Sequence, residues 1–288
     1  MIPAEFEYVR ATTIDEAVGH LSGSGGTAKV IAGGQSILPL MKLRLAQPAQ
    51  LIDISRLSEL RGVREMPDGR IAIGALTTYA ELMESPAMNL GVLQDAVPTI
   101  GDVQVRNLGT VGGSVAHADP ASDMPACLLA LEAELVARSG GGERTIPIDG
   151  FFQGPFVTTL AGDELLTEIR LPAPDPGLGS AYRWMEHPAS GYSIVGVAAL
   201  VGRDEGGRIA SARIGITGVG DVAYRAKAVE SALVGSDGGV SDLQAAAARA
   251  TEGVNVLGDI HADREYRTAM AAVYTRRAIE AALARVGG

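Results

Sequence analysis

A single cysteine, Cys127, occurs among the 288 residues of the chain. One thiol excludes an intramolecular disulfide framework and fits a reducing compartment. It also excludes a resident iron–sulfur cluster, because such a cluster takes about four cysteine thiolates. The four histidines, His20, His117, His187 and His261, are far apart in sequence and form no H-E-x-x-H arrangement. This spacing argues against a metal site held by this chain alone.

Long hydrophobic runs are also missing, since no apolar stretch approaches the ~18 residues that a membrane-spanning helix needs. Residues 1–7 contain no basic region, apolar stretch or cleavage site, so we expect no signal peptide and a cytoplasmic protein. Peripheral association with a membrane stays open. The formal net charge of −10 argues against broad binding to nucleic-acid phosphates. Hydrophobic residues make up 47% of the chain, which excludes disorder for most of it.

The length predicts two domains, because one domain commonly takes about 100–200 residues. A stretch rich in proline and glycine at 172–177 is the best candidate for the boundary. We therefore expect an N-terminal domain over 1–177, with subdomains of about 1–55 and 56–177, and a C-terminal domain over 178–288.

Apolar periodicity and turn residues predict an α+β chain. The segment 28–54 is expected to form a β-loop-α-β unit, and the glycines at 140–142 to close a hairpin. Thr77 or Thr78 and Ser241 are candidate helix N-caps. Strands are predicted over 29–32, 51–54, 70–73, 134–138, 144–148, 164–171, 194–201 and 208–217, and helices over 37–45, 125–131, 224–234, 242–252 and 263–286.

Two glycine turns carry the most chemistry. The first, Ala32-Gly33-Gly34-Gln35-Ser36, lies between a predicted strand and a predicted helix. The second, Gly109-Thr110-Val111-Gly112-Gly113-Ser114, is followed by Asp119-Pro120-Ala121-Ser122-Asp123. Paired glycines let a ligand approach the backbone, and exposed N–H groups at a helix N-terminus favour an anion. Two such turns in one domain suit a diphosphate held from both sides.

Neither turn is a G-x-G-x-x-G that opens a βαβ unit, and the chain has no G-x-x-x-x-G-K-[ST]. The usual fingerprints of dinucleotide and nucleoside-triphosphate sites are therefore absent. Either turn alone is more often a simple tight turn than a ligand site. Because the two turns occur together, a ligand site and a pair of simple tight turns are about equally good explanations. The spacing alone indicates no more than a site for a nucleotide-like anion.

The two motifs together resemble the FAD-binding medium subunit of the molybdenum hydroxylases, the group of carbon monoxide dehydrogenase, xanthine dehydrogenase and aldehyde oxidase. The resemblance covers nearly the whole chain and includes Gln104-Val105-Arg106-Asn107-Leu108-Gly109, Glu265-Tyr266-Arg267 and Arg276-Arg277-Ala278. It implies a two-part FAD-binding domain of the vanillyl-alcohol-oxidase type, followed by a C-terminal domain of antiparallel sheet with a helical cluster.

The resemblance also implies where FAD lies. The backbone of 32–36 and of 110–114 would wrap the diphosphate, and His117 and Asp123 would lie along the adenosine half. The residues that it places at the cofactor in this half, including the strand that leads into the first turn, are Val30, Ile31, Ala32, Gly33, Gly34, Gln35, Ser36, Thr110, Gly112, Gly113, Ser114, His117 and Asp123. Asp123 has a second candidate role as a cap of the helix predicted over 125–131.

The flavin ring takes the other residues that the resemblance assigns. Ile100 and Gly101 would pack at the isoalloxazine, Leu166 near the ring or the adenine, and Tyr192 over the flavin from the C-terminal domain. The family usually has a lysine eight residues before the position of Tyr192, where this chain has Trp184. A cation there would stabilise negative charge on the reduced flavin.

Two more side chains have ordinary structural explanations. Arg183, which precedes Trp184, could replace the missing cation, although a neighbouring residue on a strand usually points elsewhere. Arg106 is expected to form an ion pair, and Cys127 to be a small buried apolar residue.

Three functions are compatible with these features. The leading one is an electron-transfer subunit that passes electrons from [2Fe–2S] clusters on a small partner chain to an external acceptor, with molybdenum on a large partner chain and a dimer of such heterotrimers as the assembly. No catalytic residue and no metal ligand is then expected here. The alternative is a stand-alone FAD-dependent reductase or oxidase, like the enolpyruvyl-glucosamine reductase relatives of the same domain, which needs its own general acid. A scaffold without flavin is the third.

Overall fold

The computed structural model describes residues 2–287 and is a mixed arrangement of strands and helices. The strands are β1 (Glu7–Arg10), β2 (Ala28–Ile31), β3 (Gln50–Asp53), β4 (Val63–Glu65), β5 (Ile71–Gly74), β6 (Glu134–Ser139), β7 (Gly142–Pro147), β8 (Phe152–Gly154), β9 (Val157–Thr158), β10 (Leu165–Leu171), β11 (Leu178–Glu186), β12 (Ser193–Arg203), β13 (Ile209–Thr217) and β14 (Tyr224–Arg225). The helices are α1 (Ile14–Gly23), α2 (Ile37–Lys42), α3 (Tyr79–Met83), α4 (Gly91–Ala96), α5 (Val103–Leu108), α6 (Val111–His117), α7 (Asp123–Ala130), α8 (Lys227–Leu233), α9 (Val240–Ala247) and α10 (Arg264–Leu283).

A small parallel sheet in the order β1-β3-β2 contains the predicted β-loop-α-β unit, which is confirmed. Parallel neighbours need a crossover connection, and α2 supplies part of it between β2 and β3. Helix α2 ends at Lys42 instead of continuing to 45, and Arg44 adopts a φ of 59° just after it. A non-glycine residue in that conformation ends a right-handed helix.

The second sheet, β4-β5-β10-β6-β7, is antiparallel throughout. Its β6–β7 hairpin turns at the predicted glycines. Helix α3 precedes part of the site and starts at a capping box, in which Thr78 accepts from the Glu81 amide and Glu81 accepts from the Thr78 amide. Thr78 is thus the cap of the two candidates.

The third sheet, β11-β12-β13-β14, is covered on both faces. Helix α10 packs on β11 and β12, while α4 and α7 from the first part of the chain pack on the same sheet. All residues of β12 except Arg203 are buried, which explains its continuous apolar run. Tyr182, Ala198 and Leu200 of this sheet belong to one apolar cluster with Leu128 and other residues of the N-terminal part.

The predicted strands lie within two residues of the observed ones, and the α+β class is confirmed. The helix expected from 224 starts at Lys227, because Tyr224 and Arg225 pair with β13. Ser241 is not an N-cap, since α9 already begins at Val240 after Gly239. Cys127 is completely buried in α7, as expected, and burial raises the pKa of its thiol. Within residues 2–287 no helix is both long and apolar enough to cross a membrane.

Candidate functional site

The first glycine turn leaves a row of backbone donors without partners. It joins the end of β2 to the start of α2, and the six amides from Ala32 to Ile37 have no acceptor within residues 2–287. Gly34 has a φ of 73°, in the left-handed region, and Ser36 is right-handed. Alternating hand of this kind turns successive N–H groups towards one side and forms an anion-binding nest. The turn therefore has the donors that a phosphate group needs.

The second glycine turn differs, because its amides are largely used inside the protein. The amide of Val111 donates to the Thr77 carbonyl at 3.0 Å and that of Gly112 to the Ala75 carbonyl at 2.9 Å. The Gly113 amide donates to the hydroxyl of Thr110 at 3.1 Å, which caps α6. We expected both turns to present free N–H groups to an anion. The second turn instead presents mainly backbone whose N–H groups are already bonded, packed beside the first turn.

The two turns lie against each other. A Cβ built on Gly33 would collide with the carbonyl oxygen of Leu108, just before the second turn. A Cβ built on Gly113 would lie 3.9 Å from the Cβ of Ala32. Glycine at position 33 is thus required by the close approach of the two segments. The structure brings both predicted motifs into one place.

This place fits the diphosphate of FAD by its chemistry. A diphosphate is an anion with many acceptor oxygens, and the first turn presents unpartnered N–H donors next to a helix start. Ser114 adds a hydroxyl, which lies 2.8 Å from that of Ser122. Val30 and Ile31, in β2, pair with β3 and hold the start of the turn in place.

The turn at Ile100 and Gly101 is held by a cation. Arg106 Nη1 donates to the carbonyl oxygens of Ile100 at 3.1 Å and of Gly101 at 2.7 Å. The ion pair expected for Arg106 is therefore wrong, and its guanidinium instead fixes a turn in which Gly101 has a φ of 55°. Ile100 is half-buried and Gly101 exposed, so a ring could rest on this turn.

His117 and Asp123 lie in very different surroundings. The His117 ring is tilted against Phe156 with centroids 5.0 Å apart, and burial lowers the pKa of the imidazole. Asp123 is buried, and its Oδ1 accepts hydrogen bonds from the hydroxyls of Tyr182 and Ser193. Burial raises the pKa of the Asp123 carboxyl, and those two hydrogen bonds oppose the rise. The predicted capping role is wrong, because Asp123 is the first residue of α7 and follows the N-cap Ser122.

Leu166 and Tyr192 are the two remaining predicted contacts. Leu166 is 4% exposed in β10 and belongs to the apolar core. Tyr192 is 51% exposed at the tip of the β11–β12 hairpin, where its carbonyl accepts from the His187 amide. Burial of part of the ring, and the charges of Asp119 and Asp123, raise the pKa of the Tyr192 hydroxyl. The tip thus lies beside the loop that follows the second turn.

Arg183 does not supply the cation that the resemblance leads us to expect at the position of Trp184. The indole is stacked on the Tyr182 ring with centroids 6.1 Å apart. The Arg183 Nη1 donates instead to Asp95 Oδ2 at 2.8 Å. Successive residues of a strand point to opposite faces, so Arg183 cannot take the place of a lysine at 184.

Sequence reasoning missed the joint between the second motif and the C-terminal sheet. The Thr217 hydroxyl lies 2.8 Å from the carbonyl oxygens of both Pro120 and Ser122, between which its one hydrogen is shared, and the Gly218 amide donates to the Pro120 carbonyl. Hydroxyl residues on strands are common, so no sequence signal marked Thr217, Tyr182 or Ser193. Within residues 2–287 there is no group of three histidine, cysteine or acidic side chains that could hold a metal ion.

Comparison with known proteins agrees with this geometry. Residues 4–174 match the model of the FAD binding domain in molybdopterin dehydrogenase, and residues 180–282 match the CO dehydrogenase flavoprotein C-terminal domain. The carbon monoxide dehydrogenase medium chain of Hydrogenophaga pseudoflava is 42% identical over 99% of both chains. Subunit alpha of the 6-hydroxypseudooxynicotine dehydrogenase complex of Paenarthrobacter nicotinovorans is 38% identical, over 99% of this chain and 97% of that one.

Solved structures give the same result. A carbon monoxide dehydrogenase structure from Hydrogenophaga pseudoflava superposes with a TM-score of 0.95 at 43% identity, over 99% of this chain and 100% of that one. Quinoline 2-oxidoreductase from Pseudomonas putida 86 superposes with a TM-score of 0.91 at 31% identity, over 100% of both chains. The resemblance inferred from the two glycine motifs is confirmed, and with it FAD as the cofactor and an oxidoreductase role.

Proposed function

The chain belongs to the family of FAD-binding medium subunits of molybdenum hydroxylases, and from this premise we propose that it is the electron-transfer subunit of such a complex. The observation that carries the proposal is the row of amides from Ala32 to Ile37, which have no acceptor within residues 2–287 and are set against the second glycine turn. When bound, FAD would supply the redox chemistry by which electrons pass from [2Fe–2S] clusters on a partner chain to an external acceptor.

The residues of this chain bind and orient the cofactor. The amides of the first turn would donate to the diphosphate, and the backbone of 110–114 would close the other side. His117 and Asp123 lie on the adenosine half, where the role of Asp123 is to hold the loop through Tyr182 and Ser193. Ile100, Gly101 and Leu166 contact or support the ring system.

Tyr192 would cover the bound flavin and limit the access of water to it. Its half-exposed ring stands at the end of a hairpin whose next residue, Ser193, donates to Asp123 in the loop after the second turn, so it is placed to cover a ring bound beside that loop. With Trp184 at the position of the family lysine, no cation from this strand stabilises the reduced ring.

The partners are a small iron–sulfur subunit and a large molybdenum subunit, assembled as a dimer of heterotrimers in the cytoplasm. The single cysteine of this chain supports clusters on another chain, because a cluster needs about four thiolates. The substrate is oxidised on the molybdenum chain, and relatives named for carbon monoxide, 6-hydroxypseudooxynicotine and quinoline share this fold. The medium chain therefore needs no substrate-specific acid and base.

The test is a visible absorption spectrum of the complex purified through this chain with its natural partners, recorded before and after dithionite. We expect flavin bands that bleach, together with broader iron–sulfur absorption from co-purifying chains. Flavin without iron or partner chains would contradict the proposal in favour of a stand-alone reductase or oxidase. A spectrum without flavin would contradict the assignment of both glycine turns and leave a scaffold.

A further inference from the structure

Arg267, in the first turns of α10, is a buried cation outside the contacts assigned to FAD. Its side chain is only 6% exposed, while that of its acidic partner Asp259 is 45% exposed. A buried guanidinium without an equally buried carboxylate must be satisfied by other acceptors. The position of the Arg267 guanidinium thus depends on acceptors other than Asp259.

Those acceptors are two backbone carbonyls. Arg267 Nη1 donates to the carbonyl oxygen of Ile194 at 2.8 Å and to that of Gly218 at 2.5 Å, while Nη2 donates to Asp259 Oδ2 at 2.6 Å. Ile194 lies near the start of β12, and Gly218 directly follows β13. The guanidinium therefore fixes the adjacent ends of two paired strands with one rigid, planar group.

Both strand ends lead directly to the flavin site. Two residues before Ile194 is Tyr192, and between them Ser193 donates to Asp123. The amide of Gly218, whose carbonyl Arg267 holds, donates to the Pro120 carbonyl at 2.8 Å. One side chain on α10 thus supports the hairpin tip and the loop after the second glycine turn together.

We infer that Arg267 is a positioning residue that sets how Tyr192 and the 119–123 loop face the flavin. The inference rests on the proposed function for the place of the flavin. Without the guanidinium, the carbonyls of Ile194 and Gly218 lose their donors, and the hairpin tip is free to shift against the loop. Arg267 then acts on the cofactor through these two segments and never touches it.

The experiment compares R267M with R276M in the complete complex. Arg276 is on the same helix and pairs with Glu280 at the surface. R276M therefore makes the same substitution without removing the hydrogen bonds to the carbonyls of Ile194 and Gly218. FAD is removed, titrated back, and its binding and fluorescence are measured. For R267M we expect the Kd of FAD to rise by about tenfold or more, since hydrogen bonds from a charged donor are lost. We also expect brighter flavin, because Tyr192 no longer covers the ring, and for R276M neither change.

A double-mutant cycle separates positioning from general support. In a Y192A background, R267M should leave the flavin fluorescence unchanged, since the ring that it positions is already gone. A further fluorescence change of the original size in that background would overturn the inference. So would an R267M complex that folds and keeps wild-type FAD affinity and fluorescence.

Should R267M fail to fold, R267K decides, because a lysine keeps the positive charge but lacks the planar fork that holds both carbonyls. A smaller shift in the same direction supports the inference, and wild-type FAD affinity and fluorescence in R267K overturn it. A wild-type complex that binds no FAD would overturn the proposed function as well. A flavin-bearing wild type with an unaffected R267M overturns the positioning role alone.

Discussion

The two glycine turns look alike in sequence, and the structure uses them in opposite ways. The first keeps its amides free from Ala32 to Ile37, whereas the second donates its amides to Ala75, Thr77 and Thr110. In the second, a Cβ on Gly112 would lie 2.5 Å from the Ala75 Cβ and 2.7 Å from its Cα. The first turn is a set of donors, and the second is a packed wall. A shared Gly-Gly-polar ending therefore does not reveal whether the N–H groups are available.

The largest effect is expected in the packed second turn. In Gly112→Val the new side chain overlaps the Ala75 backbone, and the unfolding free energy should fall by about 3 kcal/mol or more. Urea unfolding followed by circular dichroism measures it. Gly140→Val is the control, because the space around Gly140 is open, and its change should stay within about 0.5 kcal/mol. Equal stability of the two variants would contradict the close packing of Gly112 on Ala75.

Asp95→Asn tests whether lost stability alone releases FAD. Asp95 lies outside both turns, and its carboxylate accepts from Arg183, from Arg285 and from the Tyr182 amide. Burial by itself raises the pKa of Asp95, but these bonds lower it overall from 3.8. We expect the variant to lose about 2 kcal/mol at neutral pH, with FAD retained.

The pH dependence of Asp95→Asn follows from the sign of that shift. A carboxyl with a lowered folded-state pKa stabilises the fold above its unfolded value of 3.8 and loses this contribution as the pH falls through the folded value. The difference in unfolding free energy between wild type and variant should therefore be greatest at pH 6 to 7 and become smaller below pH 3.8. A constant difference down to the acid transition, or release of FAD at neutral pH, would contradict this account.

The donors of the first turn are tested by Gly34→Ala against Gly207→Ala. Both glycines have positive φ values, 73° and 79°, so the left-handed backbone should cost each substitution about 1 to 2 kcal/mol. At Gly34 the new Cβ would also lie 2.9 Å from Leu38 Cδ1, the movable end of a side chain. Gly207 lies in the open β12–β13 hairpin. Only Gly34→Ala should weaken FAD, by about tenfold, since it disturbs amides that donate to a charged group. Equal FAD affinity in the two variants would remove the donor role from the first turn.

The smallest effect is expected for Tyr79→Phe. The Tyr79 amide donates to the Gly109 carbonyl beside the second turn, but its buried hydroxyl has no hydrogen-bond partner within residues 2–287. Burial raises the pKa of that hydroxyl. Removing it should lower the unfolding free energy by less than about 0.5 kcal/mol or raise it slightly, because no bond is lost and a buried unpaired hydroxyl is removed. A loss above about 1 kcal/mol in thermal or urea unfolding would mean that this hydroxyl does form a hydrogen bond in the folded protein.

Local patterns predicted part of the regular structure of this fold. The β-loop-α-β unit, the β6–β7 hairpin and the cap at Thr78 depend on residues close in sequence, so alternation, glycine and capping rules were sufficient. The start of α8 was wrong because Tyr224 pairs with a strand, and strand pairing is not local. Helix α1 was missed although Thr13 accepts from the Glu16 amide at its N-terminus.

In the candidate site, too, the features set by local sequence were predicted and those set by distant residues were not. The two motifs were visible as sequence, and the expectation that they lie at one place agrees with the close approach of Gly33 to Leu108. The partners of individual groups were not predictable, because each lies far along the chain. Arg106 donates to carbonyls instead of an acid, and Asp123 is enclosed by hydroxyls from the C-terminal sheet.

The apolar cluster that contains Tyr182, Ala198 and Leu200 together with Leu128 limits how the chain can be cut. A gene truncated in the proline-rich stretch after Leu171 would encode a fragment whose α7 and α4 faces lose the sheet that covers them. Such a fragment would aggregate, since several buried side chains become one exposed patch. Exchange of halves between relatives meets the same obstacle. Chimeras of this family should therefore carry α4, α7 and the third sheet from one parent, so that the seam falls where no core is shared.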